Sequence, residues 1–276
     1  MFEPRLALAS LSGRSDAEWA EAAESIAGAA VLGGIALDDP TREAAREMVE
    51  RDREEFLPDD PVRFVDRQLA ALGDADLRPG FNVRTSTLEP LREVARVCAD
   101  RDALLELNAH CRQDEMCEAG AGEALLRDPE RLREQVATAA EAAAEAGEGA
   151  TEANEAAVSV KVRAELPGVE LPQIAEIVAE AGGDAIHVDA MDSEGVVAEV
   201  AEVADETDLF VIANNGVRDE ATVREYLAYG ADAVSVGRPS DDPAVLRRVR
   251  SAVDDWFAEE DGDEADAENP TTEVRA

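Results

Sequence analysis

Short apolar runs alternate with longer amphipathic, Ala- and Glu-rich segments along almost the whole chain. Eight runs stand out, at residues 5–10, 29–37, 80–84, 103–108, 157–163, 185–189, 209–214 and 233–237. Their lengths suit buried strands, and helical periodicity follows them, for instance at 128–146, 171–181, 217–229 and 242–257. Between the second and third runs there is room for two helices, 41–54 and 61–72, parted by Pro58-Asp59-Asp60-Pro61. Strands that alternate with crossover helices predict the α/β class, and eight such units predict a (β/α)8 TIM barrel filling residues 1–258 as one domain. A doubly wound open sheet is the alternative. Two stretches fall outside the plan: an acidic loop at 146–155, expected to be flexible, and an acidic tail at 259–276, expected to be disordered.

Composition changes the picture of the surface. The chain of 276 residues carries 64 acidic against 26 basic side chains, a formal net charge of −38. Such a surface repels itself and any polyanion, which argues against a DNA-binding role. It suits a protein built for concentrated salt, where screening shortens the repulsion. With 45% hydrophobic residues in regular blocks the chain can form a core, so a disordered acidic protein is excluded. Cys98, Cys111 and Cys117 are odd in number and have no paired spacing, so they read as thiols of a reducing compartment. With no basic leader followed by an apolar stretch, and no apolar run of about 20 residues, the expectation is a soluble cytoplasmic protein without a membrane partner. No metal site is expected, and the oligomeric state stays open.

Lys161 is the only lysine, and it lies at the end of the apolar run Ala157-Val158-Ser159-Val160-Lys161-Val162-Arg163. Arginine is a planar fork, whereas lysine is a compact point donor on a flexible stem. One ammonium kept at a strand end therefore points to a chemical need.

The fourth run ends Leu105-Glu106-Leu107-Asn108-Ala109-His110-Cys111 and leads through Gly120-Ala121-Gly122 to Asp128-Pro129. With Ser159-Val160-Lys161-Val162-Arg163, this stretch resembles the dihydrouridine synthase family of flavin-dependent reductases. In that family the fourth strand leads into Asn-x-x-Cys-Pro, then Gly-Ala-Gly. The likeness continues in Ala213-Asn214-Asn215-Gly216-Val217 and in Gly230-Ala231-Asp232-Ala233-Val234-Ser235-Val236-Gly237-Arg238, and covers roughly residues 5 to 240.

The resemblance implies an FMN-dependent oxidoreductase acting on the C5–C6 bond of a uracil-type pyrimidine, free or within tRNA, with NADPH or NADH as electron donor. It assigns Cys111 as general acid and Lys161 as the cation beside the electron-rich edge of the flavin. An ordinary thiol, with a pKa of about 8.5, is mostly protonated at neutral pH and can give a proton. The resemblance further implies Asn108 and Asn82 as amide contacts, and Asn214, Gly216, Gly237 and Arg238 as the phosphate cradle.

This chain also departs from the family pattern. The histidine that ends the sixth strand in the family is here Asp189, and His187 stands two residues earlier, on the same face. His187 is thus the candidate replacement for that cofactor contact. The proline after the cysteine is Arg112, and Asp114, Glu115 and Glu118 occupy positions that are often basic. His110 precedes Cys111, where it can assist proton transfer or tune the thiol. After the eighth run only one helical pattern and the acidic tail remain, which implies a short member without the C-terminal helical module that grips tRNA. Two other functions stay open: a flavin-independent phosphate-binding barrel enzyme acting on a phosphorylated metabolite, and a non-catalytic binding or RNA-associated protein.

Overall fold

The computed structural model describes residues 1–147 and 157–268. Its strands are β1 (Leu6–Leu8), β2 (Ala29–Ala36), β3 (Arg78–Arg84), β4 (Leu104–Asn108), β5 (Ala157–Arg163), β6 (Ala185–Asp189), β7 (Phe210–Asn214) and β8 (Ala233–Val236). They pair in parallel and in chain order, and β8 closes on β1. The closed barrel excludes the open sheet. Parallel strands covered by helices are buried on both faces, which is why each one reads as a nearly continuous apolar run.

The helices are α1 (Ala17–Glu21), α2 (Asp39–Glu50), α3 (Pro61–Ala71), α4 (Leu88–Asp100), α5 (Asp114–Glu118), α6 (Pro129–Gly147), α7 (Leu171–Glu180), α8 (Val196–Thr207), α9 (Glu220–Ala228) and α10 (Pro243–Glu268). Helix α4 shows how they dock: Leu91, Val94, Ala95 and Cys98 recur at helical spacing and are all buried. Cys98 is thus a core thiol, pushed up to about 12 by burial. The expected pair α2 and α3 is present. Asp60 caps α3 through the Arg63 N–H, and Pro61 opens the helix.

Three boundaries differ from expectation. Strand β1 has three residues, although the Ala9 N–H still bonds the Val236 carbonyl at 2.9 Å. A short α5 and a 3-10 turn at Gly122–Arg127 lie between β4 and α6, where no helical period announced them. Helix α10 runs past residue 257 to Glu268, through a stretch rich in helix-favouring Ala and Glu. The rest of the tail, 269–276, and most of the loop expected at 146–155 lie outside the described residues.

The barrel interior is graded. At the N-terminal end Ala7, Ala29, Leu104, Ala157, Ile212 and Ala233 pack with Phe2 and Phe210, whose rings meet edge-on at 5.4 Å. Above this plug the inward positions turn polar: Asn82, Glu106, Ser159, Lys161, His187 and Ser235 are all buried. A polar layer inside a barrel is tolerated only if its groups are hydrogen-bonded.

Candidate active site at the mouth of the barrel

Six side chains, Asn108, Asn82, Glu106, His187, Ser235 and Asn214, form one connected chain. Glu106 lies against Ser159 across β4 and β5, and Asn108 lies against Lys161 one step higher. Glu106 Oε1 accepts from Asn82 Nδ2 at 2.7 Å, and Asn82 Oδ1 accepts from Asn108 Nδ2 at 2.9 Å. On its other side Glu106 Oε2 meets His187 Nδ1 at 2.6 Å, and His187 Nε2 meets Ser235 Oγ at 2.7 Å. Ser235 Oγ in turn accepts from Asn214 Nδ2 at 2.7 Å.

Burial alone would raise the Glu106 carboxyl, but the pull of His187 and Lys161 and the hydrogen bonds outweigh it and hold the group at about 2. His187 is pushed down by burial and by Lys161, against the pull of Glu106. A neutral ring between these partners donates from Nδ1 to the carboxylate and accepts from the Ser235 hydroxyl at Nε2.

The other end of the chain fixes the Cys111 loop. Asn108 Oδ1 accepts the backbone N–H groups of His110 at 3.2 Å and Cys111 at 2.9 Å. The Gly120-Ala121-Gly122 segment then folds back, and the Glu123 N–H bonds the Cys111 carbonyl at 2.9 Å. Gly122 has φ +62°, and a Cβ there would lie 2.2 Å from that carbonyl oxygen. The loop needs glycine at this point for close approach as well as for conformation.

Lys161 is only 3% exposed, yet its ammonium makes no hydrogen bond or salt bridge with any described residue. Ser159 Oγ, below it on β5, is also buried and without a partner among the described residues. Around the mouth, His110 Nε2 meets Asp189 Oδ2 at 2.6 Å, and Arg163 pairs with Glu123 at 2.6 Å. Burial opposes the Asp189 charge, but the His110 hydrogen bond and charge, with help from Lys161, hold the carboxyl at about 2.

Asn214 ends β7 beside Ser235 of β8, so the loops carrying Gly216 and Gly237 are neighbours. Gly237 has open space where a side chain would stand, and Arg238 is exposed at the start of a 3-10 turn, Arg238–Asp241.

The expected residues therefore gather at one end of the barrel, in two tiers. Cys111, Lys161, Asn108, Asn214, Gly216, Gly237 and Arg238 are at the mouth. Asn82 and His187 lie one layer below, fully buried, with their polar atoms taken by Glu106, Asn108 and Ser235. Their place is to support the mouth from beneath.

Two further elements escaped the sequence reading. Glu106 is the hub of the buried chain. Arg84, at the end of β3, forms a sealed ion pair with Glu55, bonds the Gly34 carbonyl at 2.6 Å and lies against the Cys111 thiol.

The donor set suits a flavin mononucleotide. An unpartnered ammonium in the mouth meets the need of an electron-rich ring edge, and open glycine loops beside an exposed arginine meet that of a phosphate.

Comparison with known proteins agrees. The family model described as dihydrouridine synthase (Dus) matches residues 81–268, from β3 through β8 and into α10. The chain belongs to the dihydrouridine synthase family. It is accordingly an enzyme of the flavin-dependent oxidoreductase kind, which removes support from the flavin-free and non-catalytic alternatives.

A curated relative, the uncharacterized protein MJ0144 of Methanocaldococcus jannaschii, is 25% identical over 249 residues, 86% of this chain and 89% of that one. Among solved structures, a FabK mutant from Thermotoga maritima superposes with a TM-score of 0.52 at 15% identity. That match covers 86% of this chain but 61% of the FabK chain, and supports the barrel fold alone. Among the described residues no helix is long and apolar enough to cross a membrane.

Proposed function

We propose that this dihydrouridine synthase-like protein uses FMN to reduce the C5–C6 bond of a uracil-type pyrimidine, with NADPH or NADH as the electron source. The observation that carries this reading is Lys161, a largely buried side chain whose ammonium has no hydrogen bond or salt bridge among the described residues, on the strand next to Asn108 and the Cys111 loop. When bound, FMN supplies the hydride.

The chain's own residues do the rest. Lys161 offers a fixed positive charge to the electron-rich edge of a ring in the mouth. Asn214, Gly216, Gly237 and Arg238 hold a phosphate at the β7 and β8 ends. Cys111 gives a proton to the substrate carbon, and Asn108 holds the Cys111 backbone in place for that transfer. Asn82 and His187 keep Asn108 and the Asn214 side oriented from below.

The substrate class is uridine, and tRNA is the form in which the family meets it. The strongly acidic surface fits a cytoplasm of concentrated salt, where repulsion toward an RNA backbone is screened.

The test is direct. The purified protein, incubated with FMN in high salt, acquires a flavin absorption band. With NADPH it converts uridine to dihydrouridine in an unmodified tRNA transcript or in uridine monophosphate, read by mass. Absence of the flavin band sinks the reading, and a difference between the two substrates decides which form is used.

A further inference from the structure

A thiol that gives its proton away at each turnover is left as a thiolate and must be refilled from solvent. Cys111 is only partly exposed, and the Gly122–Glu123 turn closes over its backbone. The residue before Cys111, His110, reaches solvent. We infer that His110, held by Asp189, is a second catalytic group that returns the proton to Cys111 between turnovers. The inference rests on the reading of Cys111 as the proton donor.

Three observations support it. First, the His110 ring is clasped on one side only, with Nε2 2.6 Å from Asp189 Oδ2. Asp189 is tied down in turn, its other oxygen accepting the Met191 N–H at 3.3 Å. A carboxylate at Nε2 keeps the proton on that nitrogen and orients the ring. Nδ1 is then the working nitrogen, and it has no hydrogen bond among the described residues.

Second, exposure grades in the right direction: the His110 side chain is 34% exposed and Asp189 12%, so the ring touches solvent while its anchor does not. Third, Asn108 Oδ1 binds the backbone N–H groups of both His110 and Cys111, so one side chain fixes the backbone that carries both groups. In this relay the ring and the thiol, on consecutive residues of one loop, exchange the proton directly or through one water.

The step balances without any change of oxidation state. The Cys111 S–H bond breaks, its proton goes to the substrate carbon, and the bonding pair stays on sulfur. The thiolate then takes the Nδ1 proton of the His110 imidazolium, and the neutral ring recovers a proton from water. Asp189 stays a carboxylate throughout. The charged and titratable groups facing the pair are the Lys161 ammonium on β5 and the neutral His187 ring on β6, with the Arg84 guanidinium of β3 and the Cys117 thiol of α5 against Cys111.

The experiment needs no known substrate. In a Cys117→Ser background, full-length protein incubated with FMN is treated with iodoacetamide between pH 5 and 10, and alkylation of Cys111 is followed by mass. Cys98 is buried and does not compete. Two inflections are expected, because thiolate forms beside a charged and then beside a neutral ring. His110→Gln should lose the lower inflection, and Asp189→Asn should move it to lower pH with the flavin spectrum unchanged. A single inflection identical in the parent and in His110→Gln overturns the relay.

Turnover gives an independent readout. With NADPH and an unmodified tRNA transcript, His110→Gln should slow steady-state turnover by about 10²-fold. The first turnover of pre-reduced enzyme should proceed at the parent rate, and added imidazole should restore the later ones. A slow first turnover, or no rescue by imidazole, also counts against the relay. Failure of the underlying reading looks different: either no flavin is taken up, or Cys111→Ala turns over as fast as the parent.

Discussion

Glu106 Oε2 lies 2.6 Å from His187 Nδ1 with both side chains sealed from solvent, 1% and 0% exposed. The carboxylate is held at about 2, below its ordinary 4.5, while the ring is pushed below its ordinary 6.5. Both shifts make the folded state lose stability in acid. The depressed carboxyl contributes stability that is present above pH 4.5 and is lost as pH falls from there toward 2. For the ring, the unfolded chain binds the proton first, so stability begins to fall as pH drops below 6.5.

Glu106→Gln keeps an acceptor but removes the charge at the hub. The cost expected at pH 7 is about 1.5–3 kcal/mol, the worth of a hydrogen bond to a charged group. The variant should also lose the part of the acid dependence between pH 4.5 and 2 that belongs to this carboxyl. Denaturant unfolding of both proteins across pH 3 to 8 checks both points, and parallel curves would remove Glu106 from its place as hub.

Lys161→Met tests the mouth rather than the core. The ammonium makes no hydrogen bond or salt bridge among the described residues, and Glu106 and Asp189 lose only a minor part of what keeps them charged, so the melting temperature should move little. FMN affinity should fall by about ten- to a hundredfold, the equivalent of about 1.5–3 kcal/mol for a charged hydrogen bond. Fluorescence titration with FMN, alongside thermal melting, separates the two effects. A variant that melts early but binds FMN normally would mark Lys161 as a structural residue.

Gly122→Ala asks whether the loop geometry matters. A Cβ would lie 2.2 Å from the Cys111 carbonyl oxygen at a φ of +62°. The backbone must shift, and what it shifts is the residue assigned as proton donor. The barrel should persist, with a loss of about 1–3 kcal/mol for the strained conformation. Turnover should fall much further than FMN binding. Equal losses in both would place the damage elsewhere.

How much of this was legible in the sequence depends on what signals a residue carries locally. The eight strands could be read because burial on both faces makes each an apolar run. The gathering of Asn108, Cys111, Lys161 and Asn214 follows, because strand ends in a barrel share one rim. Glu106 was legible in principle, since it stands two residues before Asn108 in an apolar run and must share its inward face.

Glu55 was not legible. It sits in Arg53-Glu54-Glu55, a run of charges like any solvated loop, and only the approach of Arg84 from β3 buries it. The pairing of His110 with Asp189 was hidden for the same reason: they are 79 positions apart and meet only because the β4 loop leans over β6.

Net charge carries the last prediction. A charge of −38 on a single barrel repels itself, and most ion pairs on the surface leave their partners well exposed, as Arg96–Glu145 and Arg133–Glu180 do. Exposed pairs of this kind add about 0–1 kcal/mol each, too little to offset an excess of carboxylates. Screening acts on the whole excess at once. The Debye length shrinks from about 10 Å at 0.1 M salt to about 3 Å at 1 M, so repulsion between neighbouring carboxylates should fade across that range.

The melting temperature should therefore rise steadily from 0.1 to 2 M KCl, and sucrose at matched osmolarity should produce a smaller rise. The buried Glu106–His187 and Arg84–Glu55 pairs are shielded from the ions, so Glu106→Gln should show the same salt slope as the parent. A melting temperature indifferent to KCl would mean that the acidic surface is neutralised in some other way.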